Sequence, residues 1–481
     1  MAKAKIGESN YIKDLRVLVA KIHNKSSMRD SFYEQATDYF NEQPLALERL
    51  EDLKNKQKQA EANPKDEKTL KRAKKAVKDF EKQLKDEQVT RHKKMVAFAE
   101  QIIDMVEHNE DEERVRASAR LLGSVMLMGS DEVRHRADQW HHHSQHIYKA
   151  VLALLLLEQL VRDELLTNPY LLRHEQARVR NPKNKDEARE CPYRRYVKVP
   201  LVMAALLQDI GYYHPDALAL VDNKPEDSRK QRSLDSEQKQ ALRKINFEQS
   251  LRFCRDAVGM DMYVGNSKEE RDQFEQNEKE KHKFLLTLLT AAADPKQSIG
   301  NLLKIPQSYA SMVLNTRYAY TSMPNVIDVL TQLGERRTLN ERAVQSFIGI
   351  VGRFPVGFGV TYIPKDSEGK DQEKYEYAIV TGLYPEPLDE PVCRMATKNL
   401  TFYQFGTDVR VSQENNLFFP EARAKLEQIS RDRLIAILRK LVSNFEERKE
   451  LDLIPKCWHP HTFFSYAQHQ NLWNKKQLSQ N

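Results

Sequence analysis

From Leu70 onward the apolar side chains fall at Leu70, Ala73, Val77, Phe80 and Leu84, steps of three and four residues that line one face of a helix. Leu47, Leu50 and Leu53 begin a similar stripe, and residues 1–115 hold one glycine, Gly7. Two long helices are therefore expected. Asn63-Pro64-Lys65-Asp66 sits between them, where a proline can occupy the first turn of the second helix. The pattern predicts a long antiparallel hairpin. Its seam thins after about two heptads, so it either closes on itself or pairs two copies as a homodimer.

Helical periodicity continues through Met95, Val96, Ala99, Ile102, Ile103 and Val106, and Val125 to Met128 forms a short core run. Three polar excursions interrupt it: Thr167 to Pro200, Asp222 to Gln240, and the strongly charged Asn266 to Lys283, read as helical or mobile. Past Ala343 the period changes. Gly357 to Ile363 alternates, Pro364 to Lys370 supplies turn residues and Glu376 to Leu383 alternates again, which predicts a β-hairpin extended by Pro391 to Met395 and by Leu400 to Phe405. Helix returns over 420–447, with Leu434, Ile435, Ile437, Leu438 and Leu441 on its buried side. An aromatic, aperiodic tail with Trp458 and Trp473 is expected to lie over the body. The fold class expected is mainly α, in four regions: 1–115 a helical hairpin or coiled coil, 116–340 a helical domain, 341–415 a small β subdomain, and 416–481 a C-terminal helix and tail.

The longest apolar run, Ala150 to Leu157, is eight residues, against the ~20 that span a bilayer, so no membrane span is expected. The start, Met1 to Glu8, lacks the apolar stretch of a signal peptide. A cytoplasmic location follows as the expectation, and Cys191, Cys254, Cys393 and Cys457 are scattered in a way that suits reduced thiols. Of the net charge of +7, residues 65–94 hold twelve Lys or Arg against six Asp or Glu. Neither this stretch nor the basic run Arg173 to Lys198 interleaves aromatics as single-strand nucleic-acid binders do. Both read first as solvated faces.

His135, His141, His142, His143 and His146 crowd the start of an apolar helix. His142 and His146 stand four apart, a spacing that can chelate a metal on one helix face, but no His-Glu-x-x-His pattern accompanies them. The run is therefore read as a solvated helix end.

One ordered series of motifs remains. His143-Ser144 opens an apolar helix, and residues 204–211 read Ala-Ala-Leu-Leu-Gln208-Asp209-Ile210-Gly211. Then come Asn246-Phe247, Ala291-Ala292-Ala293-Asp294, and Pro306-Gln307-Ser308-Tyr309 running on to Thr316-Arg317-Tyr318. Phe354-Pro355-Val356-Gly357 and the β segment 377–395 follow. Over roughly residues 120–400 this series resembles a degenerate member of the HD-GYP branch of the HD superfamily of metal-dependent phosphohydrolases. The resemblance implies an HD-like helical domain at 116–340 whose metal-site positions are His143, Gln208, Asp209, Asn246, Ala291, Ala292 and Gln307, of which only His143 and Asp209 keep a ligand of the family's type. Such a pair falls short of a hydrolytic centre, which takes about three protein ligands per metal. No catalytic residue, metal or cofactor is expected. His143 is expected to make a buried hydrogen bond, to Asp209 or Gln208.

The function implied is that of an inactive binding or scaffold module in bacterial, cyclic di-GMP-related signalling. Its protein partners would be met by the N-terminal hairpin or the C-terminal tail. Two alternatives stand beside it: a divergent metal-dependent cyclic dinucleotide phosphodiesterase using a reorganised His cluster, and a receptor that binds cyclic di-GMP without cleaving it. For the receptor, Arg173, Arg178, Arg180, Arg194 and Arg195 are the candidate anion-binding groups, because guanidinium forks match phosphate oxygens.

Overall fold

Several helix starts in this chain are fixed by side-chain caps. In the computed structural model, Ser9 caps α1 (Asn10–Ile22), Ser267 caps α11 (Lys268–Ala293) and Asn340 caps α14 (Glu341–Val351), each accepting from a backbone N–H of the first turn. Asp235 and Gln238 form a reciprocal capping box at α10 (Ser236–Arg252). The structure describes residues 7–24, 31–62, 67–128, 134–221, 234–296, 298–429, 431–441 and 453–474. Asn63 to Asp66, most of the excursion 222–240, and the end of the segment 420–447 lie outside them.

The molecule is mainly helical, with a small antiparallel sheet near the C-terminus. After α1 come α2 (Phe32–Ala62) and α3 (Glu67–Val106), the two arms of the hairpin, then α4 (Asp111–Leu127) and α5 (Arg134–Arg162). Two short helices, α6 (Pro169–Gln176) and α7 (Lys185–Glu190), occupy the excursion before α8 (Val199–Leu207). The chain continues through α9 (Pro215–Val221), α10, α11, α12 (Ser298–Val313), α13 (Val326–Glu335) and α14. Every residue of α8 is buried, as are Ile147 to Leu157 of α5. A helix apolar on all sides belongs at the centre of a body, and α5 and α8 pack against each other there.

The hairpin does not stop where the sequence reading divided the chain. Ile12, Leu15 and Leu18 of α1, Phe32, Tyr33 and Phe40 of α2, and Met95, Ala99 and Ile102 of α3 share one hydrophobic core with α5, α8 and α12. Only the outer parts of α2 and α3 protrude. They are joined by the seam residues Val77 and Phe80, by Arg49 over the Phe80 ring at 4.8 Å, and by the half-exposed pairs Lys54–Glu81 and Lys74–Glu61.

The sheet has the order β1-β2-β3-β6, with β1 (Gly359–Tyr362) paired to β2 (Glu376–Val380) through Gly359↔Ile379 and Tyr362↔Glu376. The strand β3 (Val392–Met395) joins β2, β6 (Asp408–Arg410) joins β3, and β4 (Thr397–Lys398) pairs with β5 (Thr401–Phe402). Alternation along β1 and β2 predicts one wet face, yet both strands are buried throughout. The tail accounts for this. Trp458 stacks on Tyr377 at 4.8 Å and donates to the Ala378 carbonyl, while Trp473 donates to the Thr381 carbonyl. Trp473 also lies where a Cβ on Gly123 would come within 2.2 Å, so α4 admits the tail only because that residue has no side chain. After α15 (Pro420–Glu427), α16 (Arg431–Leu441) buries Leu434 and leaves Ile435 and Ile437 half-buried, while the side chains of Leu438 and Leu441 lie outside the described residues.

Candidate functional site

The site grows from the two central helices. Gln208 caps the C-terminal end of α8, which leaves Asp209 just beyond the last turn, facing the middle of α5 and the side of α12. Asp209 Oδ1 accepts from Gln307 Nε2 at 2.7 Å, and Oδ2 accepts a short contact from the ammonium of Lys149. Lys149 is 1% exposed. A lysine so deep requires a partner, and Asp209 is that partner. Gln307 is fixed in turn by Lys304 Nζ, which donates to its Oε1 at 3.1 Å.

The positions singled out in sequence meet here in part. Asn246 Nδ2 donates to the Gln208 carbonyl at 3.0 Å, and Ser250 Oγ accepts from Gly211 N at 2.9 Å. A Cβ on Gly211 would lie 2.2 Å from the Asn246 carbonyl oxygen, so α10 reaches this corner only over a glycine. Gln208, Asp209 and Asn246, all buried, and the half-buried Gln307 thus form one polar knot. Ala291 and Ala292 stand at the end of α11, where the Ala291 carbonyl touches Gly300 of α12. Both carboxylate oxygens of Asp209 are taken by Lys149 and Gln307.

His143 belongs to a second cluster alongside the first. Among the described residues the histidine run is not a solvated helix end: His141, His143 and His146 are buried and His142 is exposed, while the side chain of His135 lies outside the described residues. Apolar neighbours on α4 and α8 enclose that end of α5, and α1 closes over it with His23, a residue the sequence reading did not single out. The His23 ring centroid lies 4.3 Å from that of His143, 5.0 Å from His142 and 5.2 Å from His146.

Hydrogen bonds run through this cluster in one direction. Tyr33 donates to the Leu206 carbonyl at 2.5 Å, and a carbonyl can only accept. Tyr33 Oη therefore accepts from His146 Nδ1 at 3.1 Å. Burial drives His146 well below the ordinary histidine range, with Lys149 and His23 adding to the effect, so its ring is neutral and its Nε2 carries a lone pair. That nitrogen accepts from His23 Nδ1 at 3.1 Å. The His23 ring is neutral as well, since burial, then His143 and His142, push it down to about 2. Its Nε2 is consequently the bare nitrogen, and the Tyr213 hydroxyl donates to it at 2.6 Å. One ring nitrogen each of His23, His142 and His143 lie within 4.8 Å of one another.

The five arginines of the basic excursion do not converge. Arg178, Arg180 and Arg194 line a groove of about 1020 Å³ with Asp104, Glu107 and Glu158, whereas Arg173 and Arg195 lie outside it. Each of the three pairs with acid: Arg178 with Glu158 at 2.8 Å, Arg180 with Glu175 at 3.5 Å, and Arg194 with Asp104 at 2.5 Å and with Glu100 and Glu107. Arg173 pairs with Glu280 at 2.5 Å, and Arg195 stands over Tyr196. Burial alone would raise Glu158, but Lys198 and Arg178 overcome it and hold it at about 2. The groove is a neutralised ion network that ties the excursion to α3 and α5.

Sequence reasoning missed His23, Tyr33, Lys149 and Tyr213. Lys149 had a signal, being a cation at the edge of the apolar run Ala150 to Leu157. His23 had none, because its hydrogen-bond partners His146 and Tyr213 lie more than a hundred residues away. Compared with known proteins, the chain matches no family model, no curated protein and no solved structure.

Proposed function

We propose that this chain is an HD-GYP-like helical protein without the hydrolytic metal centre, and that it acts as a binding or scaffold module in bacterial, cyclic di-GMP-related signalling. One observation carries the reading: Lys149 supplies the positive charge that Asp209 requires, at the point where the resemblance would put a metal. The meeting of Gln208, Asp209, Asn246 and Gln307 in one knot supports it further. With one oxygen held by an ammonium and the other by an amide, the Asp209 carboxylate has no strong means of holding a metal or activating a water, which supports a module without hydrolysis. The protruding outer half of the hairpin is the surface we assign to a protein partner.

The test is turnover. Full-length protein supplied with Mn²⁺, Fe²⁺ or Zn²⁺ should leave cyclic di-GMP intact, and Gln208→His alone should not restore cleavage, because Asn246, Ala291, Ala292 and Gln307 still lack ligand groups. Specific, saturable cleavage by the unaltered chain would sink the reading in favour of the divergent phosphodiesterase.

A further inference from the structure

We infer that His23, His142 and His143 form a transition-metal site that fastens α1 to α5. The three come from two elements far apart in sequence, and the fold brings one nitrogen of each within 4.8 Å of the others. Ligands of one tetrahedral ion at 2.0–2.1 Å stand roughly 3.3 Å apart, so small rotations of the rings suffice. His23 is prepared for the role. Its Nδ1–H is committed to His146, whose own Nδ1–H is committed to Tyr33, which leaves His23 Nε2 as the donor nitrogen. A metal-binding histidine is held in this same way, its second nitrogen donating to an outer partner that sets tautomer and ring angle.

Tyr213 occupies the position that the ion would take beside His23. Its hydroxyl is 2.6 Å from His23 Nε2, and withdrawal by less than about 1 Å would bring it to a ligand–ligand separation. The fourth position then faces Tyr213, and the exposed His142 marks the way in from solvent. Imidazole donors with no carboxylate or thiolate among them select Zn²⁺, Co²⁺, Ni²⁺ or Cu²⁺ over Mg²⁺ and Ca²⁺. Asp209, the neighbouring carboxylate, is held by Lys149 and Gln307, and its pairing offsets the ammonium charge near the site. The site shares His143 alone with the motif series and does not depend on the proposed loss of hydrolysis, since metal binding and cleavage are read out separately.

Full-length protein stripped with a chelator would be titrated with Zn²⁺ by calorimetry and, in parallel, with Co²⁺ by absorption. One equivalent per chain is expected, with the strong visible band of four-coordinate Co²⁺ and a rise in melting temperature on Zn²⁺ addition that Mg²⁺ does not reproduce. His142→Ala removes an exposed ring and should leave the fold intact while weakening Zn²⁺ at least ten-fold; His143→Gln should do the same. Absence of one-to-one binding, cobalt that stays six-coordinate, or an affinity unchanged in His142→Ala would each overturn the assignment.

Discussion

Lys149 and Asp209 are the residues on which the buried polar knot turns. Ion pairs of this depth rarely add net stability, because desolvating both charges costs about as much as their attraction returns; breaking one is a different matter. Lys149→Met should therefore destabilise the protein by about 3–5 kcal/mol, since it strands the Asp209 carboxylate with Gln307 as its remaining partner. Adding Asp209→Leu should recover most of that loss, and urea unfolding of the single and double variants measures the coupling. Gly211→Ala should also destabilise, because a Cβ there meets the Asn246 backbone and not a side chain that can swing away. Asp209 was legible in sequence through its motif. Its partner was not, because Lys149 lies sixty residues upstream and spacing carries no information about which carboxylate an ammonium will meet.

At the scale of elements, the hairpin is two things. Its outer part is held by a thin seam and by surface ion pairs worth ~0–1 kcal/mol each. Its inner part is core, from Phe32 to Phe40 on α2 and from Met95 to Val106 on α3. Excising residues 46–84 and closing the gap with a short Gly-Ser loop should leave a folded body, because Arg49 and Phe80 face each other across the excised arms. Removing residues 1–110 should instead give an unfolded or aggregated chain, since it takes Tyr33 and His23 away from His146 and strips α8 of α3. Circular dichroism and gel filtration of the two deletions distinguish the outcomes. A folded 111–481 fragment would mean that the core tolerates losing a whole side. The helical period located both arms correctly, but how far a body reaches along a long helix depends on what packs against it.

Across the whole molecule, buried neutral histidines tie stability to pH. His141 is pushed down to about 4 by burial and by His461, His282 to about 4 by burial and His92, and His23 to about 2. All three sit below the ordinary value of about 6.5, so the unfolded chain binds protons that the folded one refuses. Their contribution is complete above about pH 6.5 and is lost as pH falls toward their folded values, at up to ~1.4 kcal/mol per pH unit for each. Glu158 acts lower down: its stabilisation is present above the ordinary carboxylate value and disappears as pH falls toward about 2. Melting temperature should thus decline steadily from pH 6.5 to pH 4, and His141→Gln should flatten the decline. Equal slopes in the variant and the parent would show that this ring is not held neutral.

The sequence by itself determined the local order of this protein: long helices where apolar residues recur every three or four positions, strands where they alternate, and caps at Ser9, Asp235, Ser267 and Asn340. Those features are set by neighbours a few residues apart. Tertiary structure alone decided that Arg178 and Arg194 of the basic excursion meet Glu100, Asp104, Glu107 and Glu158, that both faces of β1 and β2 are dry, and that a histidine run on α5 meets His23. Each of these is a pairing across long stretches of chain, fixed by the cost of leaving a buried charge or polar group without a partner, and no local pattern encodes which partner will arrive.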